Sequence, residues 1–149
     1  MSEATITFRV HAIPKPQPRP RATIRGKHAA VYNPSDADDW KGSVARAAMK
    51  HRPDEPIAYP VYLTIEFVLP RPRGHYGTGR NAGILKPSAP FWCATKPDLD
   101  NLEKSVMDAL TDIGMWDDDS LVVEKETSKC YAANAQCVGA TITIERAVA

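Results

Sequence analysis

Two aspartates flanking one leucine, a lysine four residues beyond the second, and three consecutive aspartates all fall within KPDLDNLEKSVMDALTDIGMWDDD, Lys96 to Asp119. Pro97 disfavours helical geometry at Lys96, so the chain enters this stretch extended. Side chains alternate along an extended chain, which puts Asp98 and Asp100 on the same side. Asp117, Asp118 and Asp119 occupy a turn before Leu121, Val122 and Val123, an apolar run that reads as a buried strand. Consecutive elements usually pack side by side, so a strand returning along the preceding helix is expected to bring that turn back toward Asp98 and Asp100. Carboxylates gathered in this way repel one another unless a cation holds them. An all-oxygen ligand set suits Mg²⁺, with Mn²⁺ as a substitute. A calcium loop of the EF-hand type does not fit, because its required glycine would be Glu103 and its closing glutamate Ala109. Taken singly, each aspartate has an ordinary alternative role as a helix cap or a solvated turn residue.

The element that must position these groups is a helix. Leu99, Leu102, Val106, Ala109 or Leu110, and Ile113 recur at steps of three and four, the stripe of a helix packed on a core. Asp98 or Asp100 serves as its N-cap, Glu103 completes a box-like arrangement with Asp100, and Gly114 ends it. Lys104 then lies one turn from Asp100. Elsewhere Thr5 to Val10 alternates as a first strand, and Val61 to Val68 is a second with Val61, Leu63, Ile65 and Phe67 on one face. Leu121 to Tyr131 and Thr141 to Glu145 complete the sheet, Lys125, Thr127 and Lys129 sharing a face. A first helix starts at Ser35 and runs to about Lys50, with Trp40, Val44, Ala47 and Ala48 on its apolar side. Trp40 is read as core or dimer interface.

At 149 residues the chain reads as a single domain, residues 1–149. The expected architecture is α/β (α+β), a mixed sheet of four to five strands with two main helices. No run of eighteen apolar residues occurs, and the start MSEATITFRV has no signal-peptide core, so the expectation is a soluble, cytoplasmic protein without a membrane partner. Cys93, Cys130 and Cys137 are odd in number and lack paired metal spacing, which reads as reduced thiols.

Net charge is only +1, but the charges are segregated. Ala4 to Ser35 carries six basic residues and no acid, Val68 to Pro97 five basic residues and no acid, and Asp98 to Glu126 ten acids against Lys104 and Lys125. A basic frame around an acidic centre suits a protein that grips a polyanion while carboxylates hold the ions that attack it. The frame has two parts. A Pro-rich arm at 12–27, with prolines at 14, 16, 18 and 20, is extended and carries Lys15, Arg19 and Arg21. A basic loop at 70–95 carries Arg71 and Arg73, with Lys96 just beyond it. These six are the candidate DNA contacts. His75, Tyr76, Phe91 and Trp92 either stack on bases or anchor the loop, anchoring being the favoured reading for Phe91 and Trp92.

KPDLDNLEK, then DAL, then WDDDSLVVE, in that order and spacing, resembles the signature of the RusA family of Holliday junction resolvases. The likeness is close over 96–131 and looser elsewhere. It implies catalytic roles for Asp98, Asp100, Lys104 and Asp119, with Asp118 as the other member of the acidic pair and a further metal ligand. It also implies a Mg²⁺-dependent endodeoxyribonuclease acting as a homodimer on branched DNA in recombination and repair, encoded by a bacterium or a prophage. Where some members have an arginine before the first aspartate, this chain has Pro97. The alternatives are a catalytically silent branched-DNA-binding protein and a nuclease of flaps or forks.

Overall fold

The structure, a computed structural model, describes residues 5–17, 21–25, 28–32 and 36–149. Side chains of 21–25, 28–32 and 36–38 are not described, so Arg19 and the Ser35 cap lie outside the described residues and Arg21 is placed by its backbone alone.

A four-stranded mixed sheet is ordered β1 (Ile6–Val10), β6 (Gly139–Arg146), β4 (Val61–Leu69), β5 (Val122–Tyr131). β6 is antiparallel to both neighbours, whereas β4 and β5 are parallel. Parallel neighbours need a crossover connection, and here it contains α2 (Leu99–Asp112). The other helix, α1 (Asp36–Met49), packs against α2 and β1. A separate antiparallel pair of β2 (Arg21–Arg25) and β3 (His28–Tyr32) follows the prolines, β2 falling inside the expected arm at 12–27 and β3 just beyond it.

The sheet is two-faced. Val61, Leu63, Ile65, Phe67 and Leu69 alternate with half-exposed or exposed Tyr62, Thr64, Glu66 and Val68. The inward residues join Phe8, Val10, Ile142 and Ile144 in one buried cluster with Leu102, Val106 and Leu110 of α2 and Trp40, Val44 and Ala48 of α1. The opposite face carries Thr7, Arg9, Thr141 and Thr143, joined by cross-strand hydrogen bonds, the usual finish of a sheet covered on one side.

Of the two readings of Trp40 the core one holds, and the reading of β5 is corrected. Trp40 and Val44 are 1% and 0% exposed, so both are filled into the core of one chain and supply no surface for a second. β5 is an edge strand rather than a buried one, and Val123 is 62% exposed. Among the described residues no helix is long and apolar enough to cross a membrane.

The β1–β6 contact depends on Gly139. Its φ is +148°, and a Cβ built there would lie 1.9 Å from the Val10 carbonyl oxygen. Gly139→Ala is therefore expected to cost about 1–3 kcal/mol from the backbone conformation, with the overlap adding to it. A urea titration followed by circular dichroism measures the loss.

Candidate active site

α2 starts where the sequence says it should, but its carboxylates are used differently. Asp98 occupies the N-cap position with extended backbone and makes no side-chain capping bond. Its Oδ2 instead meets Lys96 Nζ at 3.1 Å, and the side chain is 42% exposed. Asp100 lies in the first turn, exposed, with Oδ1 accepting from the Asn101 N–H at 2.9 Å. Negative charge is favourable at this helix end. Lys104 projects into solvent one turn on and approaches Asp108 Oδ1 at 3.8 Å.

Glu103 is not the capping-box partner of Asp100. It is 9% exposed, accepts Lys125 Nζ at 2.8 Å, and accepts the Thr127 hydroxyl on the same strand. The signal for this was available, since Glu103 falls inside the apolar stripe, four residues after Leu99 and three before Val106. A carboxylate on that face must meet donors, and Lys125 and Thr127 alternate along β5 to provide them. Lys129, next on the same face, donates to the carbonyls of Thr95 and Pro97. β5 thus holds both the entry to α2 and its second turn.

The Pro-rich arm is fixed to the same helix. The Gln17 N–H donates to Asn101 O at 2.9 Å. The Ser105 hydroxyl lies 2.9 Å from Lys15 O and 2.7 Å from Leu102 O, and accepts from Trp40 Nε1 at 3.1 Å. Lys15 and Lys96 line one groove of about 290 Å³, with Pro14, Thr95 and Pro97. A larger hollow between Ile13, Arg71, Tyr76 and Gln136 holds no carboxylate. Arg71 is committed internally, donating to Ala132 O at 3.0 Å and Pro90 O at 2.6 Å and lying over the Tyr131 ring. Arg73 is exposed.

The acidic turn does not converge with Asp98 and Asp100 within one chain. Among the described residues no three His, Cys, Asp or Glu side chains stand close enough to hold a metal ion. Because β4 and β5 are parallel, α2 runs back between them, and its start and the start of β5 lie at opposite ends. Val122 to Lys129 spans seven strand steps, roughly 23 Å, and the 14 residues of α2 about 21 Å. The 3-10 turn Asp119–Leu121 packs on α2, but Pro97 lies beside Lys129 at the other end of β5. Within the turn Asp118 caps, accepting from the Ser120 N–H at 3.2 Å. Hydrogen bonds from the Ser120 side chain and backbone hold its carboxyl below the usual range. Asp119 is half-buried and Asp117 exposed.

Paired carboxylates stand at a helix start, Asp98 half-exposed and Asp100 exposed, on a crossover bounded by basic segments, an arrangement suited to meeting a polyanion. Residues 12–145 match the profile of the family described as "Endodeoxyribonuclease RusA". A relative, "Uncharacterized protein YqaN" of Bacillus subtilis (strain 168), is 34% identical over 132 residues, covering 85% of this chain and 88% of that protein. The chain belongs to the RusA endodeoxyribonuclease family.

Removing the Glu103 carboxylate takes the acceptor from the half-buried Thr127 hydroxyl and the ion-pair partner from Lys125. Glu103→Ala is expected to cost about 1–3 kcal/mol, whereas Lys104→Ala, on the exposed side of α2, should stay within about 0.5 kcal/mol. Parallel denaturant titrations of the two variants test the difference.

Proposed function

We propose that the protein is a Mg²⁺-dependent endodeoxyribonuclease that resolves four-way DNA junctions as a homodimer, by paired phosphodiester cuts in recombination and repair. The observation that carries this reading is the pair Asp98 and Asp100, exposed at the start of α2 in the family's motif, with Asp98 free of any capping bond. Both are hard oxygen donors, which suits Mg²⁺. The third candidate ligand, Asp119, lies in the 3-10 turn beyond the far end of α2, too distant to join them in the same chain, and this supports a site completed by a second copy. In that arrangement Asp98 and Asp100 of one protomer would hold the ion together with Asp119 of the partner subunit, Asp118 of the partner subunit being the further candidate ligand.

Mg²⁺ held by these carboxylates would supply Lewis acidity toward the phosphate and activate water for attack. The chain's own groups do the rest. Lys104, held only loosely by Asp108, swings to offset charge on the pentacoordinate phosphorus. Lys15 and Lys96 line a groove beside the carboxylates and take the neighbouring phosphates, while Arg73, and Arg19 and Arg21 of the arm, extend the grip. Arg71 acts indirectly, by fixing the loop that carries the others. A four-way junction is approximately two-fold, and a two-fold dimer presents two equivalent centres to opposed strands.

Three outcomes are expected. With Mg²⁺ or Mn²⁺ the protein should cut four-way junctions, and excess EDTA should abolish cutting; full activity in EDTA would remove the metal from the mechanism. Asp100→Asn should lose cleavage by about 100-fold or more while junction affinity holds or rises. Arg73→Ala should instead weaken binding and lower its salt slope by about one ion, read from anisotropy at several salt concentrations. The shared site makes a further demand. Asp100→Asn and Asp119→Asn homodimers should both be inactive, yet mixing them with subunit exchange should restore one intact centre and nick a junction-bearing plasmid once. A mixture as inactive as its parents would place each centre within one chain.

A further inference from the structure

Phe91 and Trp92 are 59% and 60% exposed, although the backbone that carries them is held firmly. The Tyr131 N–H donates to Phe91 O at 2.9 Å and the Cys93 N–H to Lys129 O at 3.2 Å, with Trp92 paired antiparallel to Cys130. Arg71 grips the preceding carbonyl of Pro90, and Lys129 the following ones of Thr95 and Pro97. The expectation that these aromatics anchor the loop is therefore reversed: the backbone is anchored and the rings are presented. They meet edge to face, with centroids 4.7 Å apart and planes at 82°, so neither ring covers the full face of the other. Two large aromatics kept in water on a fixed backbone forgo the stabilisation of burial and mark a surface with an occupant.

The surroundings define the occupant's chemistry. Pro70 to Pro97 holds five basic residues and no acid, and Arg73, Arg80, Lys86 and Lys96 are exposed. Cys93, Thr95 and Lys96, which follow Trp92, line the groove shared with Lys15, and Asp98 comes next. Asp98 lies six positions beyond Trp92, at most about 20 Å of chain. Positive charge with open π faces matches a nucleic acid whose bases are accessible. In continuous duplex every base is already stacked between neighbours, and a free base face exists only where the stack is interrupted.

We infer that Phe91 and Trp92 form a stacking platform for a base at the DNA branch point, so that this aromatic pair selects branched over continuous duplex DNA. The inference rests on the nuclease reading above and adds to it the residues that sense the branch. Phosphate contacts hold any DNA; the platform holds only DNA with an interrupted stack, and registers the branch against the carboxylates downstream.

The chain's three tryptophans make a direct test, because Trp40 and Trp116 are each 1% exposed and Trp92 alone faces solvent. In EDTA, titration with a four-way junction should quench Trp92 emission, and an unbranched duplex at equal saturation should not. Trp92→Phe should abolish the quench while keeping junction affinity within about twofold, since a phenyl ring still stacks. The Phe91→Ala, Trp92→Ala double variant should bind the junction about tenfold more weakly, bind duplex within about twofold of wild type, and melt at the wild-type temperature. No quench at saturating junction, or an equal loss on both DNAs, overturns the platform. If wild type cuts junctions and the double variant keeps full junction preference, the platform fails while the nuclease reading stands. If wild type neither binds nor cuts junctions, the nuclease reading falls and the platform with it. If the double variant sediments as a monomer where DNA-free wild type is a dimer, the pair belongs to a protein interface and the platform is again overturned.

Discussion

A carboxylate inside an apolar stripe has to be answered by donors, and the way Glu103 is answered sets the geometry of the whole catalytic side. Lys125 and Thr127 reach it from one face of β5, and Lys129 on that face takes the carbonyls that lead into α2. One edge strand therefore fixes both the axial position of the helix and the path of the chain entering it. Hydrophobic contacts of Leu102, Val106 and Leu110 press the helix on the sheet but tolerate sliding, whereas a charged pair with a hydroxyl partner fixes one register. The exposed pair Asp98 and Asp100 inherits its position from this hidden one.

Around that helix the core and the polar network are continuous. Trp40 in α1 donates to Ser105 in α2, and the Ser105 hydroxyl meets the Lys15 carbonyl in the arm. The arm is also tied to the Asn101 carbonyl, immediately after Asp100. Basic segments that are distant in sequence are thereby brought to the acidic end of α2, Lys15 from one side and Lys96 from the other. A chain with net charge +1 can present a concentrated positive surface because its opposite charges lie in different segments.

Elements whose pattern is local were legible in the sequence. β4 showed its period of two through Val61, Leu63, Ile65 and Phe67, and α2 its stripe and its Gly114 stop, which adopts φ of +76°. What depended on sheet order was not legible. Nothing local in Leu121 to Val123 says that the strand lies at an edge, so an apolar run was read as buried. Convergence of the acids failed for the same reason: parallel pairing of β4 and β5 sends the turn after α2 to the far end, a relation that no residue of the motif records. Glu103 was misassigned because its spacing from Asp100 also fits a capping box, and only the position of β5 separates the two roles.

β5 has a further consequence, because its outer side is only partly covered. Residues 91–93 pair with its last residues, while Val122 to Ser128 keeps an open row of backbone donors and acceptors among the described residues. Such an edge invites another strand, and with it sheet-to-sheet polymerisation. Glu124, Lys125 and Glu126 stand exposed in succession along this stretch, and Tyr62 holds Glu126 in place through a 2.6 Å hydrogen bond. A second β5 laid alongside would have to desolvate these charges. The edge that steadies the catalytic helix is thus also guarded against fibre growth, and the strand keeps its charges for colloidal reasons as well as for the helix it supports.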